Sequence, residues 1–198
     1  ALMALALLGE KRAGAVAWES ILKGKTDASG LAGRGAGHRQ LVIAVLAAEG
    51  EAGWKKLVGF CSFEEGNGAP FGIRVGVLRA LAGFAAGERP GSRSVVFRVD
   101  GRISKTLPAD APALLRAAFV KMAGKIPAEG NPPYGIIYAA GSLPGFKEDA
   151  AAVEALKGLK GKYKGHAARS WDYGIDRIVK PDAKPAQKPA SGGTPEKF

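Results

Sequence analysis

The chain predicts an α+β fold. Short β-branched or aromatic runs read as strands, and they alternate with runs whose apolar residues recur at spacings of three and four, in the order strand, strand, helix, then strand, strand, helix, strand, helix. Hydrophobic residues make up 46% of the 198, enough to build a core. Composition changes at both ends, toward Ala and Leu at the start and toward Lys and Pro at the finish. Four segments result: an N-terminal helical extension at 1–32, a first α+β unit at 33–90, a second small α+β unit at 91–160, and a basic, Pro-rich C-terminal extension at 161–198.

Residues 1–23 read as a helix, with Ala, Leu and Trp18 on one side and Glu10, Lys11, Arg12 and Glu19 on the other. A Gly-rich stretch at 24–37 carries Arg34. The run Leu41-Val42-Ile43-Ala44-Val45-Leu46 then predicts a buried strand. Residues 49–53 form its hairpin connection and 54–63 the second antiparallel strand. Ile73, Val77, Leu81 and Phe84 predict an amphipathic helix starting near Pro70. Val95, Phe97 and Val99 alternate as in a strand, with its hairpin partner at 102–107. Leu114, Leu115, Ala118, Phe119 and Met122 give a helix over 112–123; a strand at 134–140 and a helix at 147–159 complete the second unit. Beyond residue 160 the prolines and low apolar content predict a segment that builds no core of its own, with Trp171 and Tyr173 docking on a neighbour.

Catalytic constellations each lack a member. His38, His166 and Cys61 have no ligand spacing, so no metal site is expected. Cys61, inside an apolar run, reads as a buried structural thiol rather than a nucleophile, and a single cysteine excludes an internal disulfide and points to a reducing compartment. Glu64-Glu65 and Glu148-Asp149 sit where acids are solvated or favour a helix dipole. The stretch Gly33-Arg34-Gly35-Ala36-Gly37 precedes a strand and has no Gly-Lys-Ser/Thr ending, so it reads as a basic loop and not a nucleotide fingerprint. The first eight residues look like a short signal-peptide core but have no basic stretch before them. No apolar run reaches the ~20 residues of a membrane span.

The cations are more informative. A formal charge of +11 attracts polyanions. Basic residues crowd 93–125 and again 157–169, and together with the Gly/Arg loop they point to nucleic acid. These readings predict a binding protein with no enzyme activity, no cofactor and no small-molecule substrate.

The order of segments resembles a known family, the fifth protein of the ribosomal small subunit, in a divergent mitochondrial-like form. The resemblance spans roughly 33–160. It is carried by Gly37-His38-Arg39-Gln40-Leu41-Val42-Ile43-Ala44-Val45-Leu46, by Lys56-Leu57-Val58-Gly59-Phe60, by Ile73-Arg74 with Leu78-Arg79-Ala80, and by Lys105-Thr106-Leu107-Pro108-Ala109. In the second half it rests on Tyr138-Ala139-Ala140-Gly141-Ser142 and Ala151-Ala152-Val153-Glu154-Ala155-Leu156. The chain departs from the family where Pro108-Ala109-Asp110-Ala111-Pro112 runs almost directly into Leu114, and where Glu64 and Glu65 replace expected basic residues.

The resemblance implies a double-stranded-RNA-binding-like strand-strand-helix unit followed by the second α+β unit, both set among small-subunit rRNA and neighbouring ribosomal proteins in the mitochondrial matrix. A cytoplasmic ribosome is the alternative location. The residues expected to hold phosphates are Arg34, His38, Arg39, Arg93, Arg98, Arg102 and Lys105, joined by Lys162, Lys164 and Arg169. The alternative function is an accessory structural subunit of another large organellar complex, respiratory or ATP synthase.

Overall fold

The computed structural model describes residues 2–24, 36–87, 103 and 105–180. Every regular element among them is an α-helix: α1 Leu2–Leu7, α2 Lys11–Leu22, α3 Ala36–Glu49, α4 Glu51–Cys61, α5 Phe71–Ala85, α6 Ala111–Ala123, α7 Gly135–Ser142, α8 Ala150–Lys157 and α9 His166–Val179. The expected helices at 1–23, 70–86, 112–123 and 147–159 are present, the first of them split where Gly9 takes φ +93° and Glu10 caps α2 by accepting from the Arg12 amide.

The α+β class and its double-stranded-RNA-binding-like unit are corrected by this fold. The expected strand at 41–46 lies inside α3, the expected strand at 54–63 is largely α4, and that at 134–140 is largely α7. The hairpin at 49–53 is a helix junction: the Gly50 amide, at φ +56°, donates to Leu46 O and ends α3, while Gly50 O accepts from the Trp54 amide and starts α4. The hairpin of 94–99 and 102–107 falls mostly outside the described residues, and Lys105 and Thr106 lie in a turn.

The β-branched run misleads because α3 is buried on nearly every side, packed on α1, α2, α4 and α5. A helix apolar all round shows no period that separates it from a buried strand. In α4 the buried residues Trp54, Leu57, Phe60 and Cys61 do recur at three and four.

The helices form two rows. α3, α5, α7 and α9 pack side by side in succession, α4, α6 and α8 do the same, and the rows meet through α3–α4, α4–α5, α5–α6, α6–α7 and α8–α9. Among the described helices, substantial contacts join those at most two apart in order, the near-neighbour pattern of a stacked helical array. Between the rows run Val42, Leu57, Leu78, Leu81, Phe84, Leu115, Phe119, Ile136 and Leu156, all buried.

Helices of the first row approach through glycine. A Cβ on Gly76 of α5 would stand 2.7 Å from the His38 ring on α3, one on Gly135 of α7 would stand 2.6 Å from Val75 Cγ1 on α5, and one on Gly174 of α9 would stand 3.2 Å from Ile137 on α7. Each successive interface thus holds a position where only hydrogen fits without displacement.

Candidate functional site

α7 and α9 close the C-terminal end of the first row. Pro132 and Pro133 restrict the chain ahead of α7, whose first turn begins with the Ile136 amide donating to Pro133 O; the helix stops where Leu143 turns extended before Pro144. In α9, Trp171 and Ile175 are buried, and Ala168 and Ile178 flank them half-buried at helical spacing. The opposite face presents Arg169, Ser170, Tyr173, Arg177 and Lys180 to solvent.

Trp171 holds this end together. It is 0% exposed, its Nε1 donates to Leu159 O at 2.9 Å, and its ring meets Tyr134 edge-on at 5.9 Å and Tyr163 edge-on at 5.2 Å. Tyr163 Oη donates to Pro127 O at 2.8 Å, and burial pushes its phenol pKa up. The segment after residue 160 therefore adds Trp171 and Ile175 to the core, which corrects the expectation that Trp171 docks on a neighbour.

Two grooves open on either side of this aromatic cluster. One, about 490 Å³, lies between α7 and α9 and is lined by Tyr134, Ile137, Tyr138, Gly141, Ser142, Ser170, Tyr173, Gly174, Arg177 and Ile178. The other, about 360 Å³, is lined by Ala128, Gly130, Asn131, Pro132, Lys162, Tyr163 and Lys164. Neither wall carries a carboxylate. A third cleft of about 390 Å³ shares Gly141, Arg177 and Ile178 with the first and adds Lys147 and Glu148.

Of the nearby acids, Glu148 lines the third cleft with Arg177, while Asp176 and Asp172 are engaged elsewhere. Lys160 Nζ reaches both carboxylate oxygens of Asp176, at 2.7 and 2.9 Å, which holds the Asp176 carboxyl below its usual range and raises the Lys160 ammonium; Asp172 accepts from the Gly161 amide. Lys162, Lys164, Arg169 and Arg177 have no ion-pair partner among the described residues. The field of this end is positive and its walls are aromatic.

The phosphate-holding residues expected from sequence do not converge. Arg34, Arg93, Arg98 and Arg102 lie outside the described residues. His38 and Arg39 sit in the first turns of α3, which has no substantial contact with α8 or α9. The His38 ring is half-buried against α5, its Nε2 has no hydrogen-bond partner, and burial lowers its pKa, which favours the neutral ring over a phosphate-binding cation. The Arg39 guanidinium lies 5.2 Å from the Phe84 ring centre. Lys105 is exposed in its turn. Lys162 and Lys164 share one groove, and Arg169 is exposed on α9.

Tyr134, Tyr138 and Arg177 escaped the sequence reading. For Arg177 the signal was its i, i+4 spacing from Tyr173 beside Trp171 and Ile175, and for Tyr134 and Tyr138 their own i, i+4 spacing, visible only once 166–179 and 135–142 are taken as helices.

Among the described residues, no group of three His, Cys, Asp or Glu is placed to hold a metal ion, and no helix is long and apolar enough to cross a membrane. Cys61 is fully buried at the end of α4, and burial drives its thiol pKa far up, so the thiolate that a nucleophile needs is disfavoured. No family model, curated protein or solved structure matches this chain.

Proposed function

We propose that the protein is a non-catalytic binding scaffold that takes a polyanion, RNA foremost, at the C-terminal end of its helical stack. One observation carries this reading: two grooves, one reaching Tyr134 and the other Tyr163 beside Trp171, walled by tyrosine, lysine and arginine, with no carboxylate in either lining. Cations without partners lower the cost of bringing up phosphates, and tyrosine adds contact area at little entropic cost. Lys162, Lys164, Arg169 and Arg177 are the residues assigned to the phosphates.

The test is RNA binding by fluorescence anisotropy at varied salt. If four cations release their counterions, affinity for a single strand falls about 50-fold between roughly 50 and 200 mM salt. The Lys162→Glu and Arg177→Glu double variant loses at least about tenfold at the lower salt. A change below about twofold in both experiments, with the helical signal intact, overturns the proposal.

A setting in a small ribosomal subunit of the mitochondrial matrix is proposed from the sequence resemblance alone. The segments 41–46, 54–63 and 134–140 that carried its strands are largely helical here, so the fold lends that setting no support. An accessory place in another large organellar assembly stands beside it. Sedimentation with a ribosomal subunit that collapses on RNase treatment supports the first; a complex indifferent to RNase supports the second.

A further inference from the structure

Tyr138 on α7 and Tyr173 on α9 stand one on each wall of the groove between these helices, 57% and 67% exposed. Large aromatic rings left this open have faces free to stack. Arg79 of α5 places its guanidinium 4.6 Å from the centre of the Tyr138 ring, yet it does not line the groove. It therefore covers the ring from the α5 side, holds the ring in place and leaves the groove side open. The floor is shallow in side chains because Gly141 and Gly174 face it, and Gly174 lets α9 come close enough to Ile137 to form one continuous slot. Arg177 stands in the same slot.

Resting on the RNA reading above, we propose that this groove is a stacking site for unpaired nucleobases, with Tyr138 and Tyr173 as platforms and Arg177 on the flanking phosphate. A slot walled by two tyrosines selects a flat, unsaturated ring. The cation in the slot and the absence of acids from its walls select a negative backbone attached to that ring. Duplex RNA meets only the second demand, since its bases are stacked within the helix; an acidic peptide likewise supplies charge without the rings.

The test compares, on the full chain, a single-stranded oligoadenylate of about 12 nucleotides, the same strand in a duplex, inorganic polyphosphate and polyglutamate. The single strand binds tightest. Tyr138→Leu and Tyr173→Leu each weaken it by roughly fivefold to a hundredfold, while Tyr138→Phe and Tyr173→Phe stay within about twofold, because stacking needs the ring and not the hydroxyl. The leucine variants leave duplex and polyphosphate binding unchanged. Both rings are exposed, so the helical signal is retained. As a second readout, 5-bromouridine in the single strand photocrosslinks to Tyr138 or Tyr173 of the unmodified protein. Single-strand affinity unmoved by the leucine variants, polyglutamate binding that matches the single strand, or crosslinks that avoid both tyrosines overturn the stacking site while the RNA reading stands. No binding of any RNA overturns both.

Discussion

Arg74 shows how much one side chain settles in this fold. It is 3% exposed, its guanidinium donates to the carbonyls of Phe60, Glu65 and Gly66, and it lies 4.4 and 4.5 Å from the ring centres of Phe60 and Phe63. No carboxylate is needed: three carbonyls and two aromatic faces replace the water lost on burial, and the cation ties the end of α4 to the turn after it. Phe63 takes φ +64° there, a strained value for an aromatic residue, and the stacking holds it. Arg74→Met removes one donor from each of three carbonyls; Phe60 O and Gly66 O keep the amides of Phe63 and Ala69, Glu65 O is left without a partner among the described residues, and stability falls by about 1–3 kcal/mol in urea unfolding. Lysine in its place recovers little, since the carbonyls are reached from two separate guanidinium nitrogens while an ammonium carries its donors on one atom and has no flat face to stack between two rings. Glycines on α5 and α7 separate two effects of the same change. Gly83→Ala meets nothing within 4 Å and stabilises by about 0.5–1 kcal/mol through helix propensity. Gly135→Ala drives a methyl to 2.6 Å from the Cγ1 of buried Val75 and costs about 1–3 kcal/mol, because overpacking outweighs propensity. Paired thermal melts of the two variants, shifting in opposite directions, check this.

Among the elements, α8 has a start that joins a carboxylate cap to an ion pair. Asp149 caps it by accepting from the Ala152 amide at 3.0 Å and pairs with Arg116 Nε at 2.9 Å; the amide bond, then the arginine, hold its carboxyl below the usual value. A folded-state pKa depressed below the unfolded one adds stability that is present above the unfolded pKa and fades as pH falls through the folded one. Stability is therefore lost as pH drops from about 5 to below 3.8, and Asp149→Ala, which costs about 1 kcal/mol at pH 7, flattens that slope. Guanidinium unfolding of both proteins across that range is the check. Helix type was legible in α2, α5, α6 and α8, where polar and apolar residues alternate at helical spacing. It was not legible in α3 and α7. In α3, Val42 to Leu46 are all buried, and in α7 only Tyr138 and Gly141 are exposed. Wherever burial surrounds a helix, the polar half of its pattern vanishes and β-branched residues read as strand.

Over the whole molecule, near-neighbour stacking makes stability local. α9 has substantial contacts with α7 and α8 and none with α1 to α6. Trp171→Ala, which leaves a cavity worth about 3–5 kcal/mol, therefore speeds hydrogen exchange in α7, α8 and α9 while α2 and α3 keep their protection. Equal loss of protection in every helix would show one cooperative core instead of a stack.

What the sequence determined by itself was composition-level physics: a core-forming apolar share, a net positive charge that draws polyanions, and the amphipathic helices whose spacing betrays one wet face. Its grouping of the basic residues into sites was not recoverable, because His38 and Arg39 lie in one interface of the stack while Lys162 and Lys164 lie near its far end. Only the tertiary structure decided that 166–179 folds back as a helix, since the low apolar content of that segment hides how completely Trp171 and Ile175 are buried by α7, α8 and the loops beside them. The groove is likewise a tertiary product. Tyr138 and Tyr173 stand 35 residues apart in the chain, and they line one groove because Gly174 lets α9 close on Ile137, a contact between two helices that no local pattern encodes.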